Sequence, residues 1–143
     1  MLKDKFKYAS SGKISLYSIS NGVKTKLFTR SNTILPNADV LVAQILSGNA
    51  AAVLSQIRLY FGATLRSNGA ITSKVFNSLD NTVTFSVTFS DASFNGTINK
   101  AQLGPSDMIT LGNFAESTFS TVTKAADEQL QVDWEIEFTT IIP

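Results

Sequence analysis

From Leu130 to Phe138 apolar and polar residues alternate without interruption. Leu130, Val132, Trp134, Ile136 and Phe138 share one parity, and Gln131, Asp133, Glu135 and Glu137 share the other. A strand sends successive side chains to opposite faces, so this run is a half-buried strand with an apolar inner face and an acidic outer face. Thr82 to Phe89 repeats the pattern, with Val and Phe inside and Thr and Ser outside. Two such strands in one chain commit it to a sheet whose apolar side must be covered by another layer.

Further strands follow from the same reasoning. Lys13–Ile19 and Val23–Thr29 flank Ser20-Asn21-Gly22, and Asn-Gly tolerates the positive φ of a tight hairpin turn. Lys24 and Lys26 on one face of the second strand are a pattern that protects a sheet edge. Gln56–Gly62 reads as a strand with Ile57, Leu59 and Phe61 inward, Ser67-Asn68-Gly69 as a turn or loop, and Lys74–Asn77 as a short strand. A strand follows Asn95-Gly96, Gly104–Asp107 is a loop, and Phe114–Lys124 is the penultimate strand. The expected helix runs from Asn37 to Gly48, with Asn37 as N-cap, Asp39 in the first turn, and an apolar face of Ala38, Leu41, Val42, Ile45 and Leu46. Seven or eight strands and one short helix predict an all-β fold, an antiparallel β-sandwich of jelly-roll-like type. Its expected core includes Ile57, Leu59, Phe61, Phe85, Phe89, Leu130, Val132, Trp134, Ile136 and Phe138. At 143 residues the chain is expected to be one domain. The core pattern begins near Ile14, so residues 13–143 are assigned to the sandwich and residues 1–12 to a flexible basic arm.

The near-neutral total charge hides an asymmetry. Residues 1–30 hold Lys3, Lys5, Lys7, Lys13, Lys24, Lys26 and Arg30 against Asp4 alone. Residues 91–143 hold Asp91, Asp107, Glu116, Asp127, Glu128, Asp133, Glu135 and Glu137 against Lys100 and Lys124. Three readings compete: the two ends are neighbours in one sheet, the charges dock copies onto one another or onto a larger lattice, or the basic end binds nucleic acid. The third lacks a nucleic-acid motif, so nucleic acid is not an expected partner. Charged residues make up only 16% of the chain, against about 25% on average, which suggests surfaces meant to be covered. The candidate assembly contacts are Lys3, Lys5, Lys7, Lys24, Lys26, Asp133, Glu135 and Glu137.

The residues offer little for catalysis. With no Cys and no His, thiolate sites, cysteine nucleophiles and the commonest general base and metal ligand are excluded. There is no phosphate-binding glycine loop and no nucleophile elbow. Asp133, Glu135 and Glu137 stand about 6.5–7 Å apart by strand rise, within the range of paired glycosidase carboxylates, but a solvated acidic strand face looks the same. Calcium held by these groups with Asp127 and Glu128 lacks an EF-hand loop. No cofactor, metal or catalytic residue is therefore expected. Tyr60 is the one modest candidate for a sugar-stacking platform, and the Thr/Ser face around Thr84–Thr88 is a candidate subunit contact. No stretch is long and apolar enough for a membrane span, and Met1–Lys7 has no apolar segment behind it, so neither a membrane location nor a secretory signal is expected.

Several short motifs carry a resemblance. Leu46-Ser47-Gly48 ends the helix and Phe61-Gly62 ends a strand. Phe94-Asn95-Gly96-Thr97-Ile98 runs to Leu103-Gly104, and Phe119–Lys124 precedes the turn Asp127-Glu128 and the tryptophan-bearing strand. Over roughly residues 32–140 this resembles small structural proteins of tailed bacteriophage particles. The resemblance implies a non-enzymatic virion protein, assembled in the host cytoplasm. It would be present in several copies as a homo-oligomer or symmetric array, and would contact other virion proteins as a capsid decoration or a neck or tail component. The alternative is a soluble carbohydrate- or surface-binding β-sandwich.

Overall fold

The alternating run lies in the last strand, which occupies the middle of a five-stranded antiparallel sheet. The computed structural model describes residues 7–90 and 92–141. In chain order the strands are β1 (Lys7–Ser20), β2 (Val23–Ser31), β3 (Thr33–Ile34), β4 (Gln56–Phe61), β5 (Thr64–Ala70), β6 (Ser73–Asn77), β7 (Thr82–Phe89), β8 (Gly96–Gly104), β9 (Ala115–Lys124) and β10 (Gln129–Ile141). The first sheet has the order β2-β1-β10-β7-β6 and the second β3-β9-β8-β4-β5. Every pairing is antiparallel, and the fold is an all-β sandwich. Among the described residues the strands number ten rather than seven or eight. β3 is two residues long, and β5 begins straight after a turn at Gly62-Ala63, so neither stands out as a separate run.

The β1–β2 hairpin turns at Asn21 and Gly22, both at positive φ, as this Asn-Gly pair requires. The chain crosses between sheets at Asn32, at Ile71-Thr72, between β7 and β8, and between β9 and β10. Between the layers lie Ile14 and Leu16 from β1, Ile57 and Leu59 from β4, Phe85, Val87 and Phe89 from β7, and Leu130, Val132, Trp134 and Ile136 from β10. Phe28 of β2 reaches Phe119 of β9 at 4.9 Å between ring centroids, tying the sheets together along one side.

α1 (Ala38–Leu46) lies where the helix was expected. Its buried face is narrower than the pattern predicts. Ala38 and Leu41 are buried and Val42 is half-buried, while Ile45 and Leu46 are exposed. Asn37 occupies the capping position without capping: its side-chain amide donates to the Leu111 carbonyl, far along the chain. That carbonyl belongs to a second, four-residue helix, α2 (Met108–Leu111), in a stretch between the expected loop and the expected penultimate strand to which no element was assigned.

Four further expectations are corrected. Phe61 is 45% exposed: β4 pairs with β8 only as far as Tyr60, and the β4–β5 register shifts between Leu59 and Tyr60. Phe138 is half-buried and packs against the core without entering it. Residues 7–12, assigned to a flexible arm, form the start of β1 and pair in register with β10, from Lys7 opposite Ile141 to Gly12 opposite Ile136. Ser67-Asn68-Gly69 lies inside β5, where Gly69 pairs with Ile57. There the sheets approach so closely that a Cβ on Gly69 would stand 2.5 Å from Val87 Cγ1.

Candidate assembly surfaces

The outer face of the first sheet carries most of the candidate contacts. β1 lies between β2 and β10, so the basic start and the acidic end of the chain are neighbours. Lys13 stands opposite Glu135, with Nζ 3.7 Å from the carboxylate. Asp133 accepts hydrogen bonds from Ser86 Oγ at 2.8 Å and Gln131 Nε2 at 3.0 Å. Lys24 lies over the Tyr17 ring, its Nζ 4.3 Å from the centroid, and Lys26 lies 6.0 Å from it. Lys13, Lys26, Asp133 and Glu135 line one shallow depression, and Lys13, Glu135 and Glu137 help line a second. Lys3 and Lys5 fall outside the described residues, and Lys7 is the first residue of β1.

This geometry supports charge pairing within the sheet. Exposed pairs of this kind contribute about 0–1 kcal/mol. A double-mutant cycle of Lys13→Ala and Glu135→Ala, read by urea melts, is expected to give a coupling below about 1 kcal/mol that shrinks with salt. A coupling several times larger would mean the pair holds the sheet together. Among the described residues no group of three or more carboxylates could hold a metal ion.

The outer face of the second sheet is organised around a residue that parity alone would send to solvent. Arg58 lies between inward Ile57 and Leu59, yet it is only 3% exposed. The segment 105–113, including α2, closes over it. Arg58 Nη2 donates to the carbonyls of Pro105 at 2.8 Å and Ser106 at 3.0 Å, and Nη1 reaches Asn113 Oδ1 at 3.4 Å. Asn113 donates onward to Gln102, which donates to Glu116, and Lys100 lies 3.7 Å from the same carboxylate. Burial pushes the Arg58 guanidinium below its ordinary pKa and the Tyr60 phenol above its own. Tyr60 is buried, with its hydroxyl 3.6 Å from Met108 Sδ and Lys100 over its ring, so it offers no stacking platform. Sequence reasoning missed this clamp; the signal for it was the apolar Met108-Ile109 and Leu111 just after the loop Gly104–Asp107. Arg58→Ala is expected to free the strap: limited proteolysis should cut within 105–113 at protease levels that leave the parent intact. Equal resistance would show that the apolar contacts alone hold it.

Asp107 begins α2, accepting from the Thr110 backbone N–H at 3.1 Å. Hydrogen bonds from Thr110, backbone first, lower its pKa. The depressed value means this cap contributes fully above the ordinary carboxylate pKa and is lost as pH falls through the folded value. The Thr110 amide resonance should report that transition in an NMR pH titration; a midpoint at or above the ordinary value would refute the cap.

Lys124 ends β9 almost wholly buried, donating to the carbonyls of Phe94 at 2.8 Å and Ala125 at 3.2 Å. It anchors the loop ahead of β8 through the Phe94 carbonyl.

The remaining surface is the β6 edge. The Thr84–Thr88 face was a candidate subunit contact, but β7 is an interior strand between β10 and β6. The true edge is β6, every residue of which is exposed. Val75 is 58% exposed, Phe76 65%, and Leu79, in the turn that follows, 95%. Pairing with β7 sets Lys74 beside Phe85 and Phe76 beside Val83, on the inner side of the sheet, with Val75 beside Thr84 on the outer side. Phe76 thus points to the core side at an overhang that no described strand covers. Comparison with protein families, curated proteins and solved structures finds no match for this chain.

Proposed function

We propose that this chain is a non-enzymatic structural subunit of a bacteriophage virion. It is present in several copies and attaches to or caps a symmetric assembly, at the capsid surface or in the neck or tail. The observation that carries the reading is the β6 edge. Exposed strand edges are templates for further pairing, and soluble monomers blunt them with charges, bulges or cover. Here Val75, Phe76 and Leu79 form an apolar end around an edge strand that pairs on one side only, with β7, and carries a single charge, Lys74. A surface of that kind fits a subunit whose edge is covered on assembly. The satisfied polar networks around Arg58 and Lys124 fit a rigid body rather than a reaction centre, and the resemblance over residues 32–140 points the same way.

The test is quantitative mass spectrometry of purified particles from the source of this chain, beside a glycan-binding screen of the free protein. The chain should appear at fixed stoichiometry to other virion proteins and bind no glycan. Absence from particles together with saturable glycan binding would replace this reading with that of a surface-binding module.

A further inference from the structure

We infer that the β6 edge is closed by β6 of a second copy, paired antiparallel about a two-fold axis through Val75. The inference rests on the assembly reading above and names the occupant of the surface that reading invokes.

Four described strands stand at sheet edges: β2, β3, β5 and β6. β3 has only two residues, too few to template a partner. β2 carries Lys24, Lys26 and Arg30, β5 carries Arg66, and none of the four contains an acidic residue. Pairing β6 with β2 or β5 of another copy therefore offers Lys74 no anionic partner, and some registers set cation against cation, which is destabilising. β6 on β6 brings only one lysine from each side, and register decides where it falls.

An antiparallel pair centred on residue 75 opposes Val75 to the partner's Val75. It opposes Lys74 to the partner's Phe76, and Ser73 to the partner's Asn77. Each ammonium then lies beside an aromatic ring, twice by symmetry, in the favourable cation–π arrangement. Centring the axis on Lys74 instead would set the two lysines face to face. An axis at Val75 thus keeps the two lysines apart and brings the exposed Val75 and Phe76 of both copies into the pairing.

The consequence is geometric. A two-fold contact uses the same patch on both partners and closes, giving a dimer with one continuous sheet of ten strands rather than an open filament. A five-residue strand pairing falls short of the ~1,000 Å² expected of a stable interface. The dimer is accordingly concentration-dependent in free solution and is held firmly only where neighbours in an array add contacts.

The chain has no native cysteine, so single-cysteine variants of the full-length protein read the pairing directly. Opposed residues of an antiparallel pair have Cα separations of about 4.5–5.5 Å, inside the disulfide range. Under mild oxidation Val75→Cys should give about tenfold more covalent dimer than Val23→Cys on β2 or Leu65→Cys on β5, because pairing raises the local thiol concentration. An equimolar mixture of Lys74→Cys and Phe76→Cys should cross-link better than either alone. Sedimentation of the parent should show the mass rising toward two chains with concentration. Val75→Lys, which sets two cations on the axis at an exposed position, should hold it at one chain with an unchanged melt. Equal cross-linking at residues 23, 65 and 75, a parent that stays one chain at every concentration, or Lys74→Cys dimers outnumbering Val75→Cys dimers would each overturn the inference. These measurements need no particles. A cross-linked dimer absent from virions would defeat only the virion reading, and a virion protein that fails to cross-link would defeat only the pairing.

Discussion

Trp134→Ala is expected to destabilise the domain by about 3–5 kcal/mol, the cost of truncating a buried large aromatic. Set against a typical total of roughly 5–15 kcal/mol, that is enough to unfold a marginal domain at body temperature. Trp134 is fully buried, in register between Ile14 of β1 and Phe85 of β7, at the middle of the first sheet. Its indole N–H has no protein acceptor, so the residue acts through volume and apolar area rather than a hydrogen bond. Trp134→Phe should therefore retain much of the stability that Trp134→Ala loses. Urea melts of both variants check this, and equal losses would mean the indole nitrogen matters through an internal water.

The second large effect is expected at Gly69. Any side chain there meets Val87 Cγ1 at 2.5 Å and the Phe89 ring at 2.8 Å, both buried core groups with little room to move. Overpacking of this kind costs about 1–3 kcal/mol, occasionally more. Gly69→Val should sit at the top of that range and Gly69→Ala lower, both read as shifts in the urea midpoint without a change of slope. An unaffected midpoint in Gly69→Val would show that the sheets can separate locally at no cost.

Gly69 also illustrates what a linear reading loses. Ser-Asn-Gly is a legitimate turn signal, because each residue type favours turn geometry. The glycine here serves a different end, letting β5 lie close under β7, and that need arises only once two sheets are stacked. The strands over 82–89 and 129–141 were legible because one face of each is buried and the other polar, so period two is written into the residues. The Asn21-Gly22 hairpin was legible because its turn needs residues that tolerate positive φ. Phe61 misled because parity predicts a face, not where a neighbouring strand stops. Arg58 misled in the opposite sense: its parity points outward, and a distant segment supplies the cover. The charge asymmetry was visible, but only the β1–β10 register shows Lys13 meeting Glu135 inside one sheet. The β6 edge could not be read at all, since being an edge is a property of strand order, and strand order is non-local.

The pairing of β1 with β10 also sets the order in which the molecule can be made. The second sheet is built almost entirely from residues 56–124, most of it from adjacent hairpins, so its contacts need no strand beyond β9. The first sheet has two local hairpins, β1–β2 and β6–β7, but they cannot be joined without β10. Its longest strand, β1, pairs on one side with β2 and on the other with β10, the last of the described strands in chain order, and contacts this far apart are slow to form. Until Gln129–Ile141 is in place, β1 and β7 lack the strand that belongs between them, and the two hairpins are not joined into one sheet. That interval is the time of greatest exposure to misassociation and to chaperones. A stalled chain in which β10 is replaced by an unstructured linker long enough to clear the exit tunnel should resist protease in its second sheet and be cut within β1.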